Sequence, residues 1–373
     1  MGPKIETVAA LSLAACPKCG SGLSSSPDHL ICSSCQRSWD VVDTIPRFFA
    51  PHYYWGELPQ HEATSLLHEA RALGWVPAVK QHFRDNPALV YSILQWQSRA
   101  SWLPLLGLNE NAIALDVGSG YGAITHALAN SCQEVYSVEA IPERIEFTRI
   151  RLEQEKLSNV RMLQANATEL PIGEHAFDLI VVNGILEWLG EWDTSKRPEE
   201  VQLHFLQKLH RALKPGGSLL IGIENRIGYN NFRGGLDHSG LPYTSLMPRW
   251  LASYRLRHSK RPHHRSQLNP KRQYRTYTYS EWGYRRLLGR IGFENPSFYA
   301  AEPGYNIPTS LVPVESHVLS AQILRSMSEP ALGSHRRWPR LLKFYMSRMG
   351  LLRLFIPEFV IIATKTTDGA PKQ

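Results

Sequence analysis

After residue 51 apolar side chains recur at helical spacing: Leu66, Leu67, Ala70 and Leu73, then Leu89, Ile93, Trp96, Ala100 and Leu103. The spacing predicts two or three helices over 51–107, with their Trp and Tyr side chains mostly in the core. From residue 113 the period changes. Ile113, Ala114, Leu115 and Val117 form an apolar run, glycines at 118, 120 and 122 break it, and Ile124, Ala127 and Leu128 return to helical spacing. Strand, glycine turn and helix together bring a backbone and a helix N-terminus against a nucleotide-like ligand. Further strand-like runs lie at 135–139, 160–163, 177–183, 219–221, 297–300 and 359–364. Helices are expected at 141–156, with Pro142 in the first turn, at 198–213, and after Ser280 as N-cap to Trp282, Leu287, Leu288 and Ile291. Strands alternating with helices in this way predict an α/β fold.

The glycine turn reads Leu115-Asp116-Val117-Gly118-Ser119-Gly120-Tyr121-Gly122. A dinucleotide turn is spaced G-x-G-x-x-G, whereas this one is G-x-G-x-G with Asp116 two residues before the first glycine. A carboxylate there repels phosphate and suits a ligand carrying a sulfonium and an ammonium. Roughly 20 residues on, Glu139 ends the next strand, where an acid takes both hydroxyls of a ribose. The loop resembles motif I of the class I S-adenosylmethionine-dependent methyltransferases. Asn166-Ala167-Thr168-Glu169-Leu170-Pro171 is similar to that family's adenine-contacting stretch. Asn166 stands where Asp is usual, keeping an acceptor oxygen and losing the charge. Leu213-Lys214-Pro215-Gly216-Gly217-Ser218 looks like the family's turn into its fifth strand.

The resemblance implies a Rossmann-like methyltransferase sheet of seven strands, the last antiparallel, with helices on both faces. It implies S-adenosylmethionine as cofactor, held by Asp116, Gly118, Ser119, Gly120, Gly122, Glu139, Asn166, Ala167 and Asn183. The 51–107 helices are expected to pack on that domain and close over the cofactor.

Four of the five cysteines form Cys16-Pro-Lys-Cys19 and Cys32-Ser-Ser-Cys35. Two C-x-x-C knuckles supply four thiolates for a tetrahedral zinc ion, and a full protein shell makes the metal structural. A redox C-x-x-C comes singly at a helix start, and disulfides need an oxidising compartment that nothing here supports. Cys132 reads as a buried packing residue. The ribbon and the following Asp43-Thr44-Ile45-Pro46 resemble the small zinc-ribbon activator domain of tRNA and protein methyltransferases, with Thr44 replacing the usual glycine. The expected organisation is a loose 1–14, a ribbon at 15–50, a helical connector at 51–107, and a catalytic domain at 108–366. That domain carries insertions at 224–279 and 304–357, and 367–373 is expected to be loose.

At 373 residues with 43% hydrophobic content the chain suits a globular protein of two domains, and no apolar run could span a bilayer. Leu13-Ala14-Ala15-Cys16 looks like a lipoprotein cleavage site, but Glu6 sits where a signal would be basic or neutral and zinc better explains Cys16. A cytoplasmic location is expected, with peripheral membrane contact through the Leu/Phe/Arg/Lys pattern at 338–356. The net charge of +8 is concentrated at 249–275, where Arg249, Arg255, Arg257, Lys260, Arg261, Arg265, Lys271, Arg272 and Arg275 suit an anionic partner, RNA or a phosphorylated glycolipid.

The long segment Ile223-Glu224-Asn225-Arg226 to Asp237-His238 leaves the end of a strand, where open α/β sheets place ligands, and is assigned to substrate binding. It is similar to a Glu-Asn-Arg…Asp-His loop of bacterial methyltransferases that modify surface glycans. Glu224 and His238 are the candidate bases for removing a hydroxyl proton, while Glu187 could line the cofactor pocket or cap a helix. Methyl transfer to a small-molecule or glycan hydroxyl is the leading expectation. One alternative is an RNA methyltransferase, although Asn183-Gly184-Ile185-Leu186 replaces the Asn/Asp-Pro-Pro-aromatic motif of base-amine methylation. A non-catalytic cofactor-binding partner is the other.

Overall fold

The computed structural model describes residues 11–26, 28–51, 54–260, 269–316, 319, 346 and 349–367. The terminal segments 1–10 and 368–373, most of the 338–356 stretch, and Arg261 and Arg265 of the basic run lie outside them. Four short strands open the chain, β1 (Leu23–Ser25), β2 (His29–Cys32), β3 (Ser38–Val42) and β4 (Ile45–Pro46), paired in that order. The tight turn between β3 and β4 explains the family's glycine: Thr44 has φ +69°, a left-handed conformation that a β-branched residue resists.

The main sheet contains β5 (Ile113–Val117), β6 (Glu134–Glu139), β7 (Val160–Gln164), β8 (Phe177–Asn183), β9 (Leu213–Glu224), β10 (Phe293–Glu302), β11 (Ser310–Pro313) and β12 (Glu358–Lys365). Their order is β11-β10-β12-β9-β8-β5-β6-β7. Parallel pairing joins β8 to β5, β5 to β6 and β6 to β7, while β12 and β11 run antiparallel to β10. This is the expected Rossmann-like methyltransferase sheet with one strand more than seven. The addition, β11, comes from the 304–357 insertion. The chain forms two compact units, Met1–Val182 with Lys208–Leu219, and Asn183–Gln207 with Leu220–Gln373.

In the first unit, α1 (Gln60–Leu73), α2 (Trp75–His82) and α3 (Pro87–Leu94) are the helices expected from the apolar spacing. Their Leu66, Ala70, Trp75, Val79 and Ile93 share one core with Tyr121 of the glycine turn and with Phe147 and Ile150 of α5 (Pro142–Gln154). Helix α4 (Ala123–Ala129) follows the turn, and Cys132 beyond it is buried as expected. Arg151 of α5 is fully buried. It donates to Ile93 O (3.0 Å), Tyr121 O (3.1 Å) and His126 Nδ1 (3.1 Å), and its guanidinium lies 4.2 Å over the Trp75 ring. Burial lowers the His126 pKa to about 4, so its ring is neutral and accepts. One side chain thus ties α3, α4 and the glycine turn together. Arg151→Met leaves buried acceptors unmet and should cost about 2–4 kcal/mol in urea unfolding, with weaker cofactor binding as the turn loosens.

In the second unit the 224–279 segment is not the plain loop expected. Residues Arg249–Arg257 form α7, started by Pro248 and packed through Ala252 and Leu256, and Tyr229–Phe232 form a single turn. Ser280 caps α8 (Glu281–Gly289) by accepting from the Gly283 N–H, as its sequence position predicted. Helix α6 (Pro198–Ala212) precedes β9.

Candidate functional site

The glycine turn of the first unit is a tight cradle. Gly118, Gly120 and Gly122 all have positive φ, of +73°, +56° and +73°. A Cβ on Gly122 would come within 2.6 Å of the buried Thr148 side chain, while the space beside Gly120 is open. The turn spends its own donors. Gly118 and Ser119 N–H both donate to Val138 O, Gly120 N–H to Glu139 Oε2 at 2.9 Å, and Gly122 N–H to Ser119 O. A phosphate site needs such N–H groups aimed outward, so this turn is built for another ligand.

The acids stand where the sequence put them, with more neighbours than expected. Glu139 is buried, and its Oε1 accepts from Ala140 and Ile141 N–H at 2.8 and 2.9 Å. Counting the bond from Gly120, three of the roughly four acceptor positions of the carboxylate are used. One remains on Oε2, so the structure does not leave Glu139 free for both hydroxyls of a ribose. Asp116 accepts from Thr125 Oγ1 at 2.7 Å, and burial raises its pKa to about 6. Asn166 Oδ1 accepts from Thr168 N–H at 3.0 Å, capping the turn Ala167–Glu169. Ser119 Oγ is buried without a hydrogen-bond partner among the described residues, an orphan that a ligand would satisfy. Carboxylates on both flanks, consumed N–H groups and an orphaned hydroxyl together fit S-adenosylmethionine.

The second unit holds a polar cluster of its own residues. His238 Nε2 lies 3.0 Å from Glu224 Oε1 and 3.8 Å from Glu187 Oε1, and Trp188 packs against its ring at 4.2 Å. Tyr305 donates its hydroxyl to Glu224 Oε1 at 2.9 Å, and Tyr284 donates to Glu224 O at 3.1 Å. Glu187 is fully buried here, in the second unit. Glu224 pairs with His238 and not with Arg226, which donates to Ser245 O and Met247 O. Asp237 is occupied by Thr244, Ser245 and Tyr274 hydroxyls and organises the loop without bonding His238. Asn183 Nδ2 donates to Asn306 Oδ1, and its Oδ1 is buried with no partner among the described residues.

Burial alone would lower the His238 pKa, but the facing Glu224 carboxylate, with Glu187 behind it, outweighs burial and raises it to about 9. Glu224 is held below its usual range because His238 outweighs the burial that would raise it. Burial, with the Glu224 charge, pushes Glu358 up to about 8. Because the folded pKa of His238 exceeds the ordinary histidine value of 6.5, its stabilising contribution is complete below pH 6.5 and disappears as pH rises through about 9. The melting-temperature gap between wild type and His238→Gln should therefore shrink between pH 6.5 and 9.5. A constant gap across that window would mean the pair is not charged.

Comparison with known proteins adds the class. Residues 115–221 match the family model described as a methyltransferase domain. The chain is 32% identical over 128 residues to nodulation protein S of Rhizobium tropici, covering 34% of this chain and 50% of that protein. It is 24% identical over 149 residues to a demethylmenaquinone methyltransferase of Bacillus cytotoxicus, covering 38% of this chain and 59% of that one. The chain spans about half the length of the curated relatives it matches. A structure of Haemonchus contortus phosphoethanolamine N-methyltransferase 1, in complex with phosphoethanolamine and S-adenosylhomocysteine, shares 15% identity at a TM-score of 0.44, covering 86% of this chain and 53% of that chain.

The matched span contains the glycine cradle, Glu139, Asn166 and Asn183, and stops before Glu224 and His238. It also stops short of the cysteines, whose arrangement is a finding of its own. The four Sγ atoms lie within 4.8 Å of one another, with Cys16–Cys35 at 3.7 Å and Cys19–Cys32 at 3.4 Å. These distances are far beyond a disulfide bond and close to the edge of about 3.8 Å that a Zn–S length of about 2.3 Å gives a tetrahedron. Cys32 Sγ accepts from Ser34 and Cys35 N–H at 3.4 Å each, the donors that a thiolate attracts. Tyr305 is the residue that sequence reasoning missed. It lies in an insertion with no periodic pattern around it, so no local signal marked it. Among the described residues no helix is long and apolar enough to cross a membrane.

Proposed function

We propose that the chain transfers a methyl group from S-adenosylmethionine to a hydroxyl of a small-molecule or glycan acceptor, and that a structural zinc ion is held by Cys16, Cys19, Cys32 and Cys35. The observation that carries the reading is the glycine cradle: the Gly118, Ser119, Gly120 and Gly122 N–H donors are consumed and two carboxylates flank it, which favours a cationic donor over a phosphate. Asp116, Gly118, Ser119, Gly120, Gly122, Glu139, Asn166, Ala167 and Asn183 would hold the cofactor, with Ser119 Oγ supplying a free donor and Glu139 one remaining acceptor. When bound, S-adenosylmethionine supplies an electrophilic methyl carbon.

The chain's own part is positioning and proton removal. At neutral pH His238 is an imidazolium and cannot accept a proton, so the acceptor's proton goes to Glu224. Its Oε2 is buried without a partner among the described residues, while Oε1 is taken by His238 and Tyr305. The same ion pair weakens Glu224 as a base. Turnover should therefore climb as pH rises toward the His238 pKa of about 9, read as a property of the coupled pair.

Calorimetry on the zinc-loaded full chain tests the donor. S-adenosylhomocysteine should bind, and Gly122→Val should weaken it by at least about tenfold through backbone strain and the Thr148 clash. Absence of heat with both donor and product sinks the reading. Binding without methyl transfer to any hydroxyl acceptor would favour a non-catalytic role.

A further inference from the structure

The second unit contains a cavity of about 470 Å³, a size that accommodates small organic ligands. Its walls come from 194–198, from α7 and from 273–277. Lys196, Arg197, Arg249, Arg257 and Arg275 line it, and none of its described lining residues is acidic.

These five cations are not equivalent. Arg275 is spent on the carbonyls of Gly190, Asp193 and Lys196, which fixes the 190–196 backbone as a wall. Arg197 is paired to Glu200. Arg249 is different. Its Nη2 donates to Thr278 O at 2.8 Å and its guanidinium lies 3.9 Å over the Tyr277 ring, yet its Nη1 is buried with no partner among the described residues. A buried donor left unmet is costly, and in a cavity lined by cations it marks a place for an acceptor. Lys196 and Arg257 are exposed beside it, and Trp250, 72% exposed, offers a flat apolar face.

We infer that this cavity binds the phosphoryl end of a small-molecule ligand, through Arg249 Nη1, Lys196 and Arg257, with the body of the ligand against Trp250. Guanidinium groups match phosphate oxygens in geometry as well as charge. Tyr274, in the same wall, donates to Asp237 at 3.1 Å, and Asp237 adjoins His238, so the cavity and the Glu224–His238 cluster share one hydrogen-bonded loop. As the anionic end of the methyl acceptor, this ligand rests on the methyl-transfer reading. Binding itself does not, because it is measured without a donor.

The test titrates the zinc-loaded full chain with inorganic phosphate and with pyrophosphate in chloride buffer. At least one ion should bind more tightly than about 10 mM. The double variant Lys196→Ala/Arg257→Ala, two exposed positions, should lose at least about tenfold in affinity, and Arg249→Met should do the same. Tighter phosphate binding supports a monoester ligand, and tighter pyrophosphate binding a diphosphate. Failure of both ions to bind, or unchanged affinity in the variants, overturns the inference. So does variant-sensitive, strongly salt-dependent binding of a short single-stranded RNA that pyrophosphate does not displace. Lost anion binding with intact S-adenosylhomocysteine binding rejects the cavity alone, and the reverse rejects the donor reading alone.

Discussion

Glu224→Ala is expected to lower methyl transfer by about 10²–10⁴-fold with cofactor affinity essentially unchanged, because the proposed base is lost and no residue of the glycine turn is altered. His238→Gln gives a different signature. Removing the imidazolium relieves the charge that weakens Glu224, so the rate at neutral pH should stay far above that of Glu224→Ala and the rise toward pH 9 should flatten. Tyr305→Phe removes the second donor to Glu224 Oε1 and should shift the pH profile without abolishing turnover. Steady-state rates between pH 6 and 10 with the true acceptor separate the three variants. If Glu224→Ala keeps more than about a tenth of wild-type turnover, Glu224 is not the base.

Removing the proposed zinc ion is expected to have the other large effect. Apparent binding energies of structural zinc are about 10–16 kcal/mol, and they are folding energy for the small domain that carries the site. The ribbon is joined to the edge of the parallel sheet: Phe48 N–H donates to Gln164 O at 2.8 Å, Ala15 N–H to Pro171 O at 3.2 Å, and Lys18 pairs with Glu169 at 2.6 Å. Chelation, or Cys32→Ser, should therefore unfold 15–50 and also strip protection from β7 and the Asn166 turn. Hydrogen exchange over 160–172, with zinc counted by mass spectrometry, reads both effects. Retained metal and unchanged exchange in Cys32→Ser would show that the thiolates are not its ligands.

Much of the cofactor half was legible in the chain. The glycine turn, Glu139, the helices of the 51–107 segment and the doubled cysteine knuckles depend on residues a few positions apart, and the backbone geometry of strand, turn and helix carries them into place. Asp116 was legible as an acid on the strand, but its bond to Thr125 and its raised pKa were not, since both follow from how deeply α4 buries it. Helix α7 was missed because its mean composition is polar and only Ala252 and Leu256 face inward.

The candidate base shows the limit most clearly. Sequence singled out Glu224 and His238 as candidate bases in one segment, but gave no sign that the two meet. Tertiary packing paired them with each other and added Tyr305 from an insertion with no pattern of its own. Spacing along the chain, then, marked the proposed ligand class and the candidate metal ligands, because short-range geometry is written into short-range sequence. Which acid meets which base, and which arginine is left with an unmet donor, only the packed structure decided, because charge partnership depends on burial and on segments far apart in the chain.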